Sequence, residues 1–210
     1  MKKPFNLKKF SKYLLSLVGY VLLVAADEFF APFATPLLIA NVYIGLSPLL
    51  SCALFVAAYL LSLSISVTAV AAMSGAVAAI FFLITNKIGK KPNFSLALIT
   101  AVALAPYVLV RDCHNLTVRL ILAGVCVPLV FVFVSAAKVF LVKGLKYRLS
   151  TDEIVSAAAL FSVASYGAIN LFSAPVYECF AVAAILVSGM IMRRSCCSVT
   201  AIISALPLFF

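Results

Sequence analysis

Residues Phe29 to Asn86 read FFAPFATPLLIANVYIGLSPLLSCALFVAAYLLSLSISVTAVAAMSGAVAAIFFLITN, 58 residues without a single Asp, Glu, Lys or Arg. A bilayer core of about 30 Å is crossed by about 20 apolar residues in a helix that rises about 1.5 Å per residue. The stretch is too long for one crossing and long enough for three closely joined ones. Proline disfavours helical geometry in the residue before it, so Pro36 and Ser47-Pro48 are the expected joints, with a further one near 64–66.

Outward from this stretch, the remaining charges delimit uncharged runs at 13–26, 92–110, 120–137, 154–177, 179–192 and 195–210. The resulting division is 13–29, 31–46, 48–64, 66–86, 94–110, 120–142, 154–173, 176–192 and 196–210. The expected fold is an all-α polytopic transmembrane helix bundle of about eight or nine spans. Residues 1–12 read as a basic cytoplasmic N-terminus and 13–210 as the transmembrane domain. The final run ends at Leu208-Phe209-Phe210 without a polar flank, which reads as a chain truncated within its last span.

Composition agrees. The 210 residues are 66% hydrophobic and 10% charged, with a mean hydropathy of +1.23. Soluble domains are about 45–50% apolar and about 25% charged. The formal net charge is +10. In a soluble protein that would point to nucleic acid, but no basic-aromatic surface pattern accompanies it, and in a bilayer protein it records orientation instead. Lys2, Lys3, Lys8, Lys9 and Lys12 put the N-terminus in the cytoplasm under the positive-inside rule. Lys87, Lys90 and Lys91 mark a second cytoplasmic loop, Lys143, Lys146 and Arg148 a third, and Arg193-Arg194 a fourth. With Lys138 snorkelling inward, the inner side carries +12 and the outer side −2. Val24-Ala25-Ala26 before Asp27 has the look of a signal-peptide cleavage site. An uncleaved first span is the simpler account in a polytopic chain.

The search for catalytic chemistry is mostly negative. None of the glycine-rich phosphate loops, the HExxH metal motif or the GxSxG elbow occurs. Six cysteines include no C-x-x-C pair, and His114 is the one histidine, so neither a metal nor a cofactor is expected. Every charge lies near a span end, whereas intramembrane ionisable groups are functional by default. The polar groups deep in spans are Asn41, Thr68 and Asn170. Asn41 and Asn170 are candidates for helix-to-helix hydrogen bonding or for a ligand, with packing favoured. Small residues at Ala71/Gly75, Ser74/Ala78 and Ala158/Ser162 share helix faces and fit packing within the bundle better than a dimer contact.

The most informative cytoplasmic stretch is Lys143-Gly-Leu-Lys-Tyr-Arg-Leu-Ser-Thr-Asp-Glu-Ile154. Ser150 followed by Glu153 is a capping-box pattern, and Asp152 and Glu153 favour the positive end of a helix dipole. The basic-then-acidic string of Lys143, Lys146, Arg148, Asp152 and Glu153 makes this loop a candidate interaction surface.

Leu149-Ser-Thr-Asp-Glu-Ile-Val-Ser156, between a basic loop and an Ala/Ser/Gly-rich span, resembles a segment of the membrane region of the stage II sporulation protein E family. Ala31-Pro-Phe-Ala-Thr-Pro-Leu-Leu-Ile-Ala40 is similar to that family's Ala-Pro-Phe segment early in the bundle, and the two blocks stand in the family's order. Ala34 and Pro36 depart from its pattern. The resemblance implies a bundle of about ten helices that localises a metal-dependent serine/threonine phosphatase to the division septum. This chain carries none of the phosphatase's acidic motifs. Non-catalytic anchoring, localisation and assembly are therefore expected, with the lipid bilayer, further copies of the chain or septal proteins as partners, and no nucleic acid. The alternative is a substrate-binding membrane subunit of a vitamin-type transporter, in which Asn41, Asn170 or Tyr166 would orient a ligand.

Overall fold

Proline and glycine set the helix boundaries in the long uncharged stretch. In this computed structural model, which describes residues 7–26, 32–62, 65–85, 92–110, 115–143, 150–172, 174–191 and 194–205, that stretch yields α2 (Ala34–Tyr43), α3 (Pro48–Ser62) and α4 (Ile65–Thr85). Pro48 opens α3, where its missing N–H has no partner to lose. Pro36 lies inside the first turn of α2 rather than at a joint, and is tolerated there for the same reason. The α2–α3 turn needs Gly45, whose φ of 104° is left-handed. Around it Ile44 N–H donates to the Ala40 carbonyl at 3.0 Å and Leu46 N–H to that of Asn41 at 3.1 Å.

α1 (Leu7–Ala25) precedes this group and starts within the basic segment, before the position 13 expected from charge alone. Lysine is a good helix former, so the helix continues past the apolar run that nucleates it. After α4 come α5 (Pro92–Ala103) and α6 (Ala105–Val110), then α7 (Leu116–Lys138), which runs into a π-helical turn at Val139–Lys143. α8 (Thr151–Leu171), α9 (Ala174–Ile191) and α10 (Arg194–Ala205) complete the order. The expected single span at 94–110 is broken at Leu104. Pro106 supplies no N–H to the turn before it, and α5 and α6 meet there.

Among the described residues 93% are helical and none is in a strand, as the all-α reading requires. The expected eight or nine spans are not what the structure supports. Three helical stretches are long and apolar enough to cross a membrane: Val67–Ile84, Leu116–Val142 and Thr151–Leu171. Among the described residues, 10–25, Ala34–Tyr43, 48–61, 94–110 and 175–186 form shorter apolar helical stretches. α2 shows how far short they fall. Its ten residues rise only about 15 Å, half a hydrocarbon core.

α2 is nonetheless the centre of the bundle. Every residue from Ala34 to Val42 is buried, against α7 on one side and α1 and α3 on others. Tyr20, Leu23, Leu38, Ile39, Phe55 and Phe133 are fully enclosed. Phe55 meets Tyr20 edge-on at 5.8 Å between ring centroids and Tyr59 at 5.1 Å. α8 packs on α1 and α7, and α10 on α8 and α9, where Tyr177, Ala168 and Ala181 form a smaller core. Gly75, Ala71, Ser74 and Ala78 of α4 are buried. A Cβ at Gly75 would stand 3.6 Å from Phe55 of α3, so this small-residue stripe closes a seam inside the bundle.

The exterior is apolar. Leu49 and Leu61 are 75% exposed, Leu109 76% and Phe94 70%, while Ser51, Thr68, Ser74 and Thr100 are buried. Thr100 Oγ1 donates to the Leu96 carbonyl at 2.7 Å and Ser204 Oγ to that of Thr200 at 2.7 Å, which satisfies the hydroxyls inside their own helices.

Candidate functional site

Lys12 and Lys138 lie at one end of the bundle, whereas Arg119 stands at the other end of α7, its Nη1 donating to the Val108 carbonyl at 2.7 Å. Tyr13 in the second turn of α1 accepts a hydrogen bond at 3.1 Å from the Ser47 N–H of the α2–α3 turn. The Lys138 ammonium, near the end of α7, lies 5.9 Å from the centre of the Tyr43 ring at the end of α2, within cation–π reach. The π turn follows at once, and α8 begins after the loop. Its start is capped as the sequence pattern predicts. Glu153 N–H donates to Ser150 Oγ at 3.4 Å, and Ser150 N–H donates to the Glu153 carboxylate at 3.0 Å. Asp152 is exposed beside it. Of the other loop candidates, Lys146 and Arg148 lie outside the described residues, as does the Lys143 side chain at the end of the π turn.

The two asparagines are not brought together. Asn41, one turn above the basic end of α2 and 1% exposed, donates from Nδ2 to the Tyr20 hydroxyl at 2.9 Å. Its Oδ1 has no hydrogen-bond partner among the described residues, and neither has the buried Ser51 Oγ. An orphaned acceptor in an apolar interior costs about 1–3 kcal/mol. Asn170 lies at the opposite end. Its Nδ2 donates at 3.0 Å to the Ala25 carbonyl, one of the last-turn carbonyls of α1 that have no partner within the helix. Gly167, one turn earlier on the same face of α8, sits so close to α1 that a Cβ would land on the Leu22 carbonyl oxygen. Tyr166, the third ligand candidate, is half-buried.

Asn41 also lines an apolar cavity of about 140 Å³ between α1, α2, the π turn and α8. A groove of about 470 Å³ continues from it toward Lys12 and Ser11, and the two spaces share Leu15, Val18, Phe140 and Leu141 as walls. The chemistry available there is recognition: one buried amide with an unpaired end, one hydroxyl at Ser16, apolar walls, and a cation on the rim. Among the described residues no three His, Cys, Asp or Glu side chains gather as a metal site would need.

Sequence reasoning singled out Asn41 but missed Tyr20, Ser51, Lys12 as a rim residue, and Gly167. Tyr20 was detectable in principle, since a tyrosine inside an apolar run needs a partner for its hydroxyl. The π turn left no sequence signal at all. Comparison with models of protein families, with curated proteins and with solved structures gives no match.

Proposed function

We propose that the chain is a membrane-embedded anchoring and assembly domain with its N-terminus on the cytoplasmic side, working without catalysis by its own residues. The observation that carries this reading is the exterior, where large apolar side chains such as Leu49, Leu61 and Leu109 are three-quarters exposed while serines and threonines turn inward. Only a hydrocarbon solvent makes that arrangement favourable. The three long apolar helices cross the bilayer, and the shorter ones complete the bundle within it, their backbone covered by neighbours. Lys12 and Lys138 share an end with the basic loop, in keeping with the positive-inside rule. The resemblance of the two blocks, one forming α2 and the other capping α8, points to the membrane region of a sporulation protein E-like chain and to localisation at a division septum.

A second reading, the membrane subunit of a vitamin-type transporter, draws on the unpaired amide of Asn41. The inner end of its cavity holds only about 140 Å³, and the 470 Å³ beyond it is an open groove, whereas small-molecule sites enclose most of their ligand. Anchoring therefore stands first.

The test is a fluorescent fusion of the whole chain followed through spore formation in a bacterium. Membrane fractionation with enrichment at the septum is expected, and loss of that enrichment when Lys146, Arg148, Asp152 and Glu153 are replaced together. Recovery in the soluble fraction would sink the membrane reading. Uniform distribution over the membrane would sink the septal one.

A further inference from the structure

We propose that the groove between α1, the π turn and α8 is a binding site for one anionic phospholipid of the cytoplasmic leaflet, its phosphate at Lys12 and one acyl chain in the cavity beyond Asn41. This rests on the membrane reading above and adds a specific ligand to it.

Four features of different kinds meet at this place. The first is space: a groove of about 470 Å³ that narrows into a cavity of about 140 Å³ through shared walls. The second is the irregular helix at its wall. The π turn at Val139–Lys143 interrupts the regular helix as α7 ends, and its Phe140 and Leu141 wall both volumes. Such π turns concentrate at functional sites because they displace side chains from the regular helical face.

The third feature is charge. Lys12 and the hydroxyl-bearing Ser11 line the outer groove. A lysine near a cytoplasmic leaflet attracts anionic headgroups, by about 1 kcal/mol per residue. The fourth is the buried amide. Ser16 Oγ donates to the Lys12 carbonyl at 2.9 Å, which marks the level one turn below the rim. Ser16 and Asn41 both line the inner cavity. One end of the Asn41 amide is used by Tyr20 and the other has no partner among the described residues. Turned end for end, the amide accepts from the Tyr20 hydroxyl and frees its N–H groups. The cavity walls include Gly19, Leu22, Leu37, Leu160 and Phe161, which suit a hydrocarbon chain.

The whole chain is purified in detergent, passed into nanodiscs of phosphatidylcholine with or without phosphatidylglycerol, and analysed for retained lipid by native mass spectrometry. One retained phosphatidylglycerol, in preference to phosphatidylcholine, is expected, together with a melting shift on adding phosphatidylglycerol that inorganic phosphate does not reproduce. Lys12→Gln should weaken retention about fivefold, the factor for one lysine at an anionic surface. Val18→Trp, on a half-exposed wall of both spaces, should abolish it, and Leu61→Trp on the far exterior should leave it unchanged; circular dichroism reports folding for all three. Should Val18→Trp not fold, Lys12→Gln decides alone. Equal retention of the two lipids, retention unaffected by both groove variants, or a site holding only water would overturn the proposal. Failure of the chain to enter nanodiscs would instead overturn the membrane reading.

Discussion

The two ends of α1 use the same residue type in opposite ways. At the far end Asn170 reaches from α8 to a last-turn carbonyl of α1, next to a glycine that lets the backbones touch. At the basic end Asn41 holds Tyr20 with one half of its amide and leaves the other half unpaired beside a cavity. Each amide spends one N–H on a bond between helices, but Asn170 is exposed and Asn41 is 1% exposed. An unpaired polar atom costs most where it is buried, so Asn41 has more to gain from a partner. Burial distinguishes the two, and it is the basis on which Asn41 is proposed as a recognition residue.

The largest test of this contrast is Gly167→Ala. A methyl group there collides with backbone, not with a side chain that can swing away, so α8 must move off α1. A loss of about 3 kcal/mol, at the upper end for overpacking, is expected in unfolding measurements in micelles. An unchanged stability would mean that the seam is looser than its geometry implies. Next comes Tyr20→Phe. It leaves Asn41 with no partner at all among the described residues and should cost about 1–3 kcal/mol. Adding Asn41→Leu should recover most of that loss, because the orphaned amide is then gone, and a double-mutant cycle measures the recovery.

Ser150→Ala removes the side-chain half of the cap on α8 and should cost about 1 kcal/mol, with lower helicity in peptides spanning 143–160. Asn170→Ala should cost about 0.6 kcal/mol, the average for hydrogen bonds between membrane helices, and no more than about 1.7 kcal/mol. The smallest effect is expected for Asn41→Leu alone, within about 0.5 kcal/mol: it removes the orphaned amide oxygen but takes the Asn41 partner from the buried Tyr20 hydroxyl, two changes of about 1–3 kcal/mol and opposite sign. If Asn41→Leu proves more harmful than Asn170→Ala in the same assay, the contrast between the two seams is reversed.

Much of the architecture was legible beforehand, and particular residues show why. Charges and prolines placed nearly every helix, because both act locally: Pro48 opens a helix wherever it stands, and Ser150 with Glu153 caps one through contacts three residues apart. What failed was the step from helices to crossings. Length in an apolar run does not say how much of it becomes helix, and α2 keeps only ten of the sixteen residues assigned to it. The site was half legible. Asn41 stood out as a lone amide in an apolar run, yet nothing local marks Lys12 or Val18 as walls of a groove, since their partners Phe140 and Leu141 lie more than a hundred residues away.

The sequence by itself determined the helical class, the apolar exterior and the cap on α8. All of these follow from hydropathy, charge and hydrogen bonds between near neighbours. Only the tertiary structure decided that the ten-residue α2 lies at the centre, that Gly167 marks a close approach of α8 to α1, and that Asn41 is enclosed while Asn170 is exposed. Those outcomes depend on which helix faces meet, and that choice belongs to the packing of the whole chain.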